Sequence, residues 1–169
     1  DGRALRPAII WLDQRKADAR KILPGVLRPV LRTVKLLDTL ESAIQECESN
    51  WIYQNQPDIW EKTYKYLLLS GFFTHRLTGE FVDSTGNNVG YLPFDNKTYQ
   101  WARKYDFKWL IFKAEKEKLP DLVKPSEMMG RITKKSSVQT GIPEGLPVMA
   151  AGSDKGCETL GLSVIHKNQ

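Results

Sequence analysis

The stretch at residues 147–161, PVMAAGSDKGCETLG, decides the predicted fold of this chain. A run of small and apolar residues at 148–151 leads into Gly-Ser-Asp, and a segment with helical spacing follows. This pattern predicts a buried strand that delivers the carboxylate of Asp154 to a tight turn, with a helix beyond it. In open α/β sheets ligands bind just outside the carboxyl ends of strands. The turn is therefore a place for chemistry, although Asp154 could equally serve only as the N-cap of the helix.

Composition indicates one folded domain with a hydrophobic core. The chain has 169 residues, of which 41% are hydrophobic, with six Phe, six Tyr and five Trp. The two cysteines, Cys47 and Cys157, match neither a disulfide framework nor a zinc spacing, and two histidines leave little room for a His-based triad. No apolar run reaches the length of a membrane span. We therefore expect a cytoplasmic protein that does not contact a membrane.

The net charge of +5 raises the question of nucleic-acid binding. The basic residues are spread along the chain, and their densest segment, KAEKEK at 113–118, alternates in sign. No RNA-binding or zinc-finger motif accompanies the charge. A basic nucleic-acid-binding module is therefore the weaker hypothesis, and we expect no nucleic-acid partner.

Apolar runs and helical spacing alternate along the chain, as they do in an α/β domain. Short apolar runs predict buried strands at 8–12 and at 64–69. Helical spacing predicts one amphipathic helix from about Leu36 that Pro57 ends, followed by a short helical turn at 58–61. The segment 101–118 is predicted to be mostly helical.

Capping residues mark two further helices. Ser70 is predicted to N-cap a helix that closes at Gly79, and Thr133 is predicted to cap a helix that ends at Gly141. A polar loop is predicted at 83–90. It is either an ordinary connection or a wall of a substrate site, because binding residues concentrate on loops.

Several separated motifs, found in a fixed order from about residue 7 to 163, resemble those of the FGGY carbohydrate kinases. They include WLDQR at 11–15, LTGEF at 77–81, TGIPEGLPV at 140–148 and AAGSDKGCETLG at 150–161. The resemblance depends on all of these motifs together and is much more specific than any one of them.

The resemblance implies an activity and a fold. Members of the family transfer the γ-phosphoryl group of ATP to a hydroxyl of a sugar or polyol, with Mg²⁺, in a cleft between two lobes. The implied fold is an α/β, actin-like (ribonuclease H-like) lobe with a mixed sheet flanked by helices. Asp154 matches the general base of the family. A carboxylate close to the substrate hydroxyl can orient it and accept its proton, and Asp154 can also serve the metal directly or through water.

Four further residues are candidate substrate contacts. Lys155 stands where many relatives carry Gln or Asn, which indicates either a substrate with an acidic group or a charge partner for a carboxylate such as Glu158. Asn87 keeps a polar position of the family and is a candidate wall residue. Asp13 and Arg15 match the W-x-D-x-R end of an early strand on the substrate side. They could equally form a local ion pair with a structural role.

The resemblance also predicts the place of residues 1–169 in a longer protein. They correspond to the larger part of the substrate-binding lobe, without the initial strand hairpin of the family and without the second lobe, which holds most ATP contacts. We therefore expect this fragment alone to be inactive, and to self-associate as a homo-oligomer through uncovered strand edges. An alternative hypothesis keeps the actin-like fold as a non-catalytic sugar- or nucleotide-binding protein.

Overall fold

The computed structural model describes residues 2–10, 12–87 and 92–163. Within them, no helix combines the length and the apolar character that crossing a lipid bilayer requires. The helices are α1 (Ala19–Ile22), α2 (Arg28–Thr33), α3 (Leu37–Glu46), α4 (Glu48–Asn55), α5 (Pro57–Lys62), α6 (Leu69–Thr78), α7 (Lys108–Ile111), α8 (Lys134–Thr140) and α9 (Asp154–Gly161). The strands are β1 (Val82–Ser84), β2 (Phe94–Asp95), β3 (Gln100–Trp101), β4 (Asp121–Val123), β5 (Met128–Arg131) and β6 (Pro147–Met149).

The chain divides into two units. Among the described residues, the first unit contains 3–10, 12–66 and 92–119, with α1 to α5, β2, β3 and α7. The second contains Gly2, 67–87 and 120–163, with α6, β1, β4, β5, α8, β6 and α9. The candidate residues Asp13 and Arg15 therefore belong to the first unit.

The core of the first unit lies between α1 and α3. The apolar face of α3 buries Leu37 and Ile44, as its helical spacing predicts. These residues pack with Ala19, Ile22 and Leu23, and Leu31 and Ile111 cover the cluster.

The helix predicted from Leu36 is in fact two helices, because the chain is extended at Cys47 between α3 and α4. The fully buried side chain of Asn50 accounts for the break. Its Nδ2 donates to the carbonyl oxygens of Ile44 and Ile111, at 2.9 and 2.7 Å, and its Oδ1 accepts from the Lys113 N–H at 2.8 Å. The amide thus satisfies a carbonyl at the end of α3 that the helix itself leaves without a partner.

The strands predicted at 8–12 and 64–69 are not formed among the described residues. Ile10 and Leu12 are 60% and 59% exposed. In the second segment the Tyr66 N–H donates to the Lys118 carbonyl oxygen at 2.7 Å, but no ladder of strand pairing is found among the described residues. An apolar run becomes a strand only when a neighbouring strand pairs with it, and its own sequence does not specify that neighbour.

The segment 101–118 is mostly irregular, so the helical prediction is wrong there. It contains the end of β3, the four residues of α7 and a 3₁₀ turn at Lys116–Lys118. Ala102 and Phe112 are buried, and the Ala102 N–H donates to the carbonyl oxygen of Pro93. Packing and long-range bonding therefore outweigh helix propensity in this segment.

In the second unit, local signals predict the helix ends well. Gly79 and Gly141 close α6 and α8 with φ of 83° and 77°, a backbone conformation that favours glycine. Thr133 caps α8, because its side chain accepts from the Ser136 N–H. The prediction that Ser70 caps α6 is wrong, because the helix begins at Leu69. The Ser70 hydroxyl instead donates to Oδ2 of Asp83.

The strands pair as three two-stranded sheets among the described residues. β1 and β4 are parallel, with Asp83 opposite Leu122, whereas β2–β3 and β5–β6 are antiparallel. The parallel and antiparallel pairing expected of a mixed sheet are thus both present, but in separate two-stranded sheets. Helix α6 packs against β1 and β5 and α8 packs against α6, which gives the second unit its α/β character.

Candidate active site

Asp154 lies at the start of α9, after β6 and a short turn. Ser153 is the N-cap of this helix, since its Oγ accepts from the Gly156 N–H at 3.1 Å. The alternative that Asp154 itself caps the helix is therefore wrong. Asp154 is instead the first helical residue, where the helix dipole favours a negative charge.

The strand before this turn is less buried than predicted. Pro147 and Met149 are exposed, and Val148 is half-buried. The reason is that β6 pairs only with β5, in a two-stranded antiparallel sheet, among the described residues, so that one of its faces stays open to solvent. Ala150, just beyond β6, is buried.

The carboxylate of Asp154 is exposed and only partly engaged. Its Oδ1 accepts from the N–H of Lys155 at 2.7 Å, and Oδ2 has no hydrogen-bond donor among the described residues. An ionised carboxylate has about four lone-pair sites, so this group keeps most of its capacity to accept. It can therefore bind a hydroxyl proton.

Lys155 is oriented away from that carboxylate by an ion pair. Its Nζ lies 2.9 and 3.1 Å from the two carboxylate oxygens of Glu158, one turn further along α9. Both side chains are largely exposed. The ion pair with Glu158, one of the two alternatives for Lys155, is thus formed.

A buried carboxylate organises the turn after β1. Asp83 is 3% exposed and accepts three hydrogen bonds. Its Oδ1 accepts from Asn87 Nδ2 at 2.9 Å and from the Ser84 N–H at 2.8 Å, and its Oδ2 accepts from Ser70 Oγ at 2.9 Å. The predicted wall residue Asn87 is thereby held through its amide nitrogen, so its Oδ1 faces away from Asp83.

The predicted loop at 83–90 is thus partly regular. Asp83 and Ser84 belong to β1, and Thr85–Asn87 form a 3₁₀ turn. Residues 88–90 lie outside the described residues. Sequence reasoning missed the roles of Asp83 and Ser84; the available signal was an acidic and a hydroxyl residue directly after an apolar pair.

The turn after β1 contacts the turn that carries Asp154, within the second unit. Ser84 Oγ donates to the carbonyl oxygen of Ala151 at 2.6 Å. Asn87 and Asp154 therefore lie on two turns that contact each other. Lys155 lies on the same helix as Asp154.

Asp13 and Arg15, in the first unit, bind each other. Arg15 Nε lies 2.8 and 2.9 Å from the two carboxylate oxygens of Asp13, Nη2 also binds Oδ2, and the Arg15 N–H donates at 3.0 Å. These bonds lower the pKa of Asp13 to about 2. The guanidinium also lies over the ring of Trp51, 4.6 Å from its centroid. The local ion pair is thus formed, and it occupies most of the acceptor capacity of Asp13.

The described residues contain no cluster of three or more His, Cys, Asp or Glu side chains that could hold a metal ion. This does not conflict with Mg²⁺, which proteins often bind through one or two carboxylates while substrate phosphates and water supply the remaining ligands. The exposed Asp154 carboxylate fits the role of one such ligand, directly or through water.

Comparison with known proteins identifies the family. The model of the N-terminal domain of the FGGY family of carbohydrate kinases matches residues 1–161. The chain belongs to this family. Its match to the family domain covers both Asp154 and the motifs on which the resemblance was based.

Several relatives and solved structures of FGGY chains are similar to this one. Xylulose kinase of Staphylococcus epidermidis is 25% identical over 168 residues, which cover 98% of this chain and 32% of that protein. L-fuculokinase of Escherichia coli is 31% identical over 107 residues, which cover 62% of this chain and 21% of that protein. The crystal structure of a xylulose kinase from Lactobacillus acidophilus superposes with a TM-score of 0.61 at 18% identity, covering 86% of this chain and 30% of that one. The likeness in structure shows the actin-like fold of these kinases. This FGGY chain thus spans about a third of the length of the xylulose kinases that it matches.

Proposed function

We propose that this FGGY chain is part of an ATP- and Mg²⁺-dependent carbohydrate kinase in which Asp154 is the general base. The observation that carries the proposal is the state of Asp154: an exposed carboxylate at the start of α9, with one oxygen free of described donors. Asp154 also ends the AGSD segment at 151–154, at the position that matches the general base of the FGGY family, whose model covers residues 1–161. This position supports the same role.

In this role Asp154 binds the attacking hydroxyl of the sugar or polyol. Phosphoryl transfer depends mainly on positioning and on charge stabilisation, with the attacking oxygen in line with the γ-phosphorus. Asp154 accepts the hydroxyl hydrogen bond and fixes the direction of the oxygen lone pair. It takes up the proton as the new O–P bond forms, while the bond from the γ-phosphorus to the bridging oxygen breaks and ADP leaves with that oxygen. Mg²⁺, when bound, would offset the negative charge of the phosphates.

Asn87 is proposed as a second substrate contact. Since Asp83 engages its Nδ2, its Oδ1 is left as an acceptor, which suits the hydroxyl groups of a sugar. Residues 1–169 are proposed to form part of the substrate-binding lobe, with a second lobe that binds ATP. On this proposal the fragment alone does not phosphorylate sugars.

The test is a substrate screen with the full-length protein. Parent and Asp154→Asn proteins are assayed for ADP formation against a panel of ketoses, aldoses, sugar acids and polyols. We expect turnover with at least one compound in the parent and a kcat lower by about 10²- to 10⁴-fold in the variant, the usual contribution of a general base. A variant as active as the parent would remove Asp154 from the mechanism, and binding without turnover in the parent would favour a non-catalytic protein.

A further inference from the structure

The side chain of Ser84 links the turn after β1 to the turn that carries Asp154. Ser84 is 1% exposed. Its Oγ donates to the Ala151 carbonyl oxygen at 2.6 Å and accepts from the Gly86 N–H at 3.1 Å. One hydroxyl therefore fixes the shape of its own turn and holds the segment that leads to Asp154.

Gly86 brings the two backbones into direct contact. A Cβ atom at this position would lie 2.9 Å from the carbonyl carbon of Gly152 and 3.0 Å from the carbonyl oxygen of Ala151. These are backbone atoms, which cannot move aside as the end of a flexible side chain can. The close approach therefore requires glycine at position 86.

The segment before Asp154 is held on its other sides as well. The Ala150 N–H donates to the Glu127 carbonyl oxygen and the Ser126 N–H donates to the Ala150 carbonyl oxygen, both at 2.8 Å. Ser153 then caps α9. Between these two anchors, the contacts of Ser84 and Gly86 with residues 151–152 set the path of the backbone.

We propose that Ser84 and Gly86 are positioning residues for Asp154, which they place without contacting the substrate. This rests on the proposed function only in taking Asp154 as the base. A general base must lie within hydrogen-bonding distance of the proton that it accepts, about 2.6–3.2 Å between heavy atoms. A displacement of about 1 Å caused at a distance from the chemistry can cost about a hundredfold in rate. Removing the Ser84 hydroxyl, or adding a Cβ at Gly86, is therefore expected to lower kcat more than it raises KM for the sugar.

The experiment compares four variants of the full-length protein: Ser84→Ala, Ser84→Thr, Gly86→Ala and the control Ser137→Ala. Ser137 lies on α8 in the same unit, and its hydroxyl makes no hydrogen bond to the described residues. Three quantities are measured for each: amide hydrogen exchange in peptides covering 150–157, and kcat and KM for the best sugar. Circular dichroism identifies any variant that fails to fold. If Ser84→Ala does not fold, the proposal is tested with Gly86→Ala alone, which keeps the Ser84 hydroxyl.

We expect exchange at 150–157 to be about tenfold faster in Ser84→Ala, which loses the hydroxyl bond to Ala151, and in Gly86→Ala, whose Cβ pushes the two backbones apart. We expect kcat to fall about 10- to 100-fold in the same two variants, with KM within about threefold of the parent. Ser84→Thr, which keeps a hydroxyl, should recover most of the kcat lost in Ser84→Ala, and Ser137→Ala should match the parent.

Unchanged exchange in both folded variants overturns the proposal, and so does faster exchange with an unchanged kcat. Failure of the proposed function shows itself separately, as an Asp154→Asn protein that keeps its full kcat.

Discussion

Asp13 and Asp154 occupy similar places in the sequence and differ in what their carboxylates bind. Each follows an apolar run and each has a basic residue close behind it. Asp13 receives both the guanidinium and the backbone N–H of Arg15. Asp154 receives only the N–H of Lys155 among the described residues.

The difference lies in the partner of the neighbouring cation. Arg15 turns back onto Asp13, two positions earlier, whereas the Nζ of Lys155 turns forward onto Glu158. A carboxylate next to a cation stays available for a substrate only when that cation is bound elsewhere. Glu158 therefore contributes to the availability of Asp154, although it lies one helical turn away.

The largest expected effect comes from neutralising each aspartate in turn. Asp154→Asn is expected to lower kcat of the full-length protein about a thousandfold, because an amide cannot accept the hydroxyl proton. Asp13→Asn, which loses an exposed local ion pair, is expected to change kcat less than about threefold. Steady-state kinetics on the best sugar give both numbers. Similar losses in the two variants would contradict the distinction drawn between the two carboxylates.

The first unit contains Cys47 and the second contains Cys157, and the two thiols are expected to differ in reactivity. Cys47 is fully buried, and burial raises the pKa of its thiol to about 11. Cys157 is exposed, one turn after Asp154. Since the thiolate is the reacting form, alkylation at pH 8 is expected to be at least about a hundredfold faster at Cys157. Peptide mass spectrometry measures both rates, and a Cys157→Ser protein should label only slowly. Equal labelling of the two thiols would show that Cys47 is accessible.

The Asp13–Arg15 pair is also expected to appear in an acid titration. The bonds from Arg15 lower the pKa of Asp13 from 3.8 to about 2 in the folded state. The pair therefore favours folding above pH 3.8, and this contribution is lost as the pH falls through about 2. NMR titration of the carboxyl carbons should show the low pKa in the parent and a higher pKa, still below 3.8, in Arg15→Gln, which keeps the backbone N–H bond of residue 15.

Asp95 provides the control for this titration. Its pKa is lowered mainly by a hydrogen bond from the N–H of Lys97, so Arg15→Gln should leave it unchanged. An Asp13 pKa that does not rise in Arg15→Gln would mean that the guanidinium is not its main partner.

The smallest expected effect concerns the Lys155–Glu158 pair. Glu158→Gln releases the lysine, which can then turn toward Asp154, and kcat/KM is expected to fall about two- to threefold, in keeping with an exposed pair worth about 0.5 kcal/mol. Adding Lys155→Gln should restore it, because no cation then competes with the substrate for the carboxylate. Enzyme kinetics on the single and double variants test this. An unchanged kcat/KM in Glu158→Gln would show that Glu158 does not affect the availability of Asp154.

Features encoded by a few adjacent residues could be predicted from the sequence, and those that depend on distant partners could not. Thr133 and Gly141 bound α8 as expected, since a cap needs only its own helix turn. The apolar run at 8–12 has a strand composition without a pairing strand among the described residues. Cys47 interrupts a well-patterned helix because Asn50 binds a carbonyl 61 positions further along the chain.

The candidate site shows the same limit. The motif order located the turn of Asp154, but Ser153 and Asp154 are both good N-caps and their local preferences are nearly equal. The sequence could not show which of them caps α9. Nor could it show that Ser84 reaches the carbonyl of Ala151, because that bond joins segments 67 positions apart.

The backbone contact at Gly86 has a consequence for protein engineering. A library that seeks new sugar preferences gains little from randomising position 86, since every side chain there meets the backbone of Gly152. Among the described residues, in contrast, a Cβ at Gly152 would meet only the Sγ of Cys157, at an ordinary 3.6 Å. Diversity is therefore better placed at 87, 152 and 155, with Gly86 kept fixed in every clone.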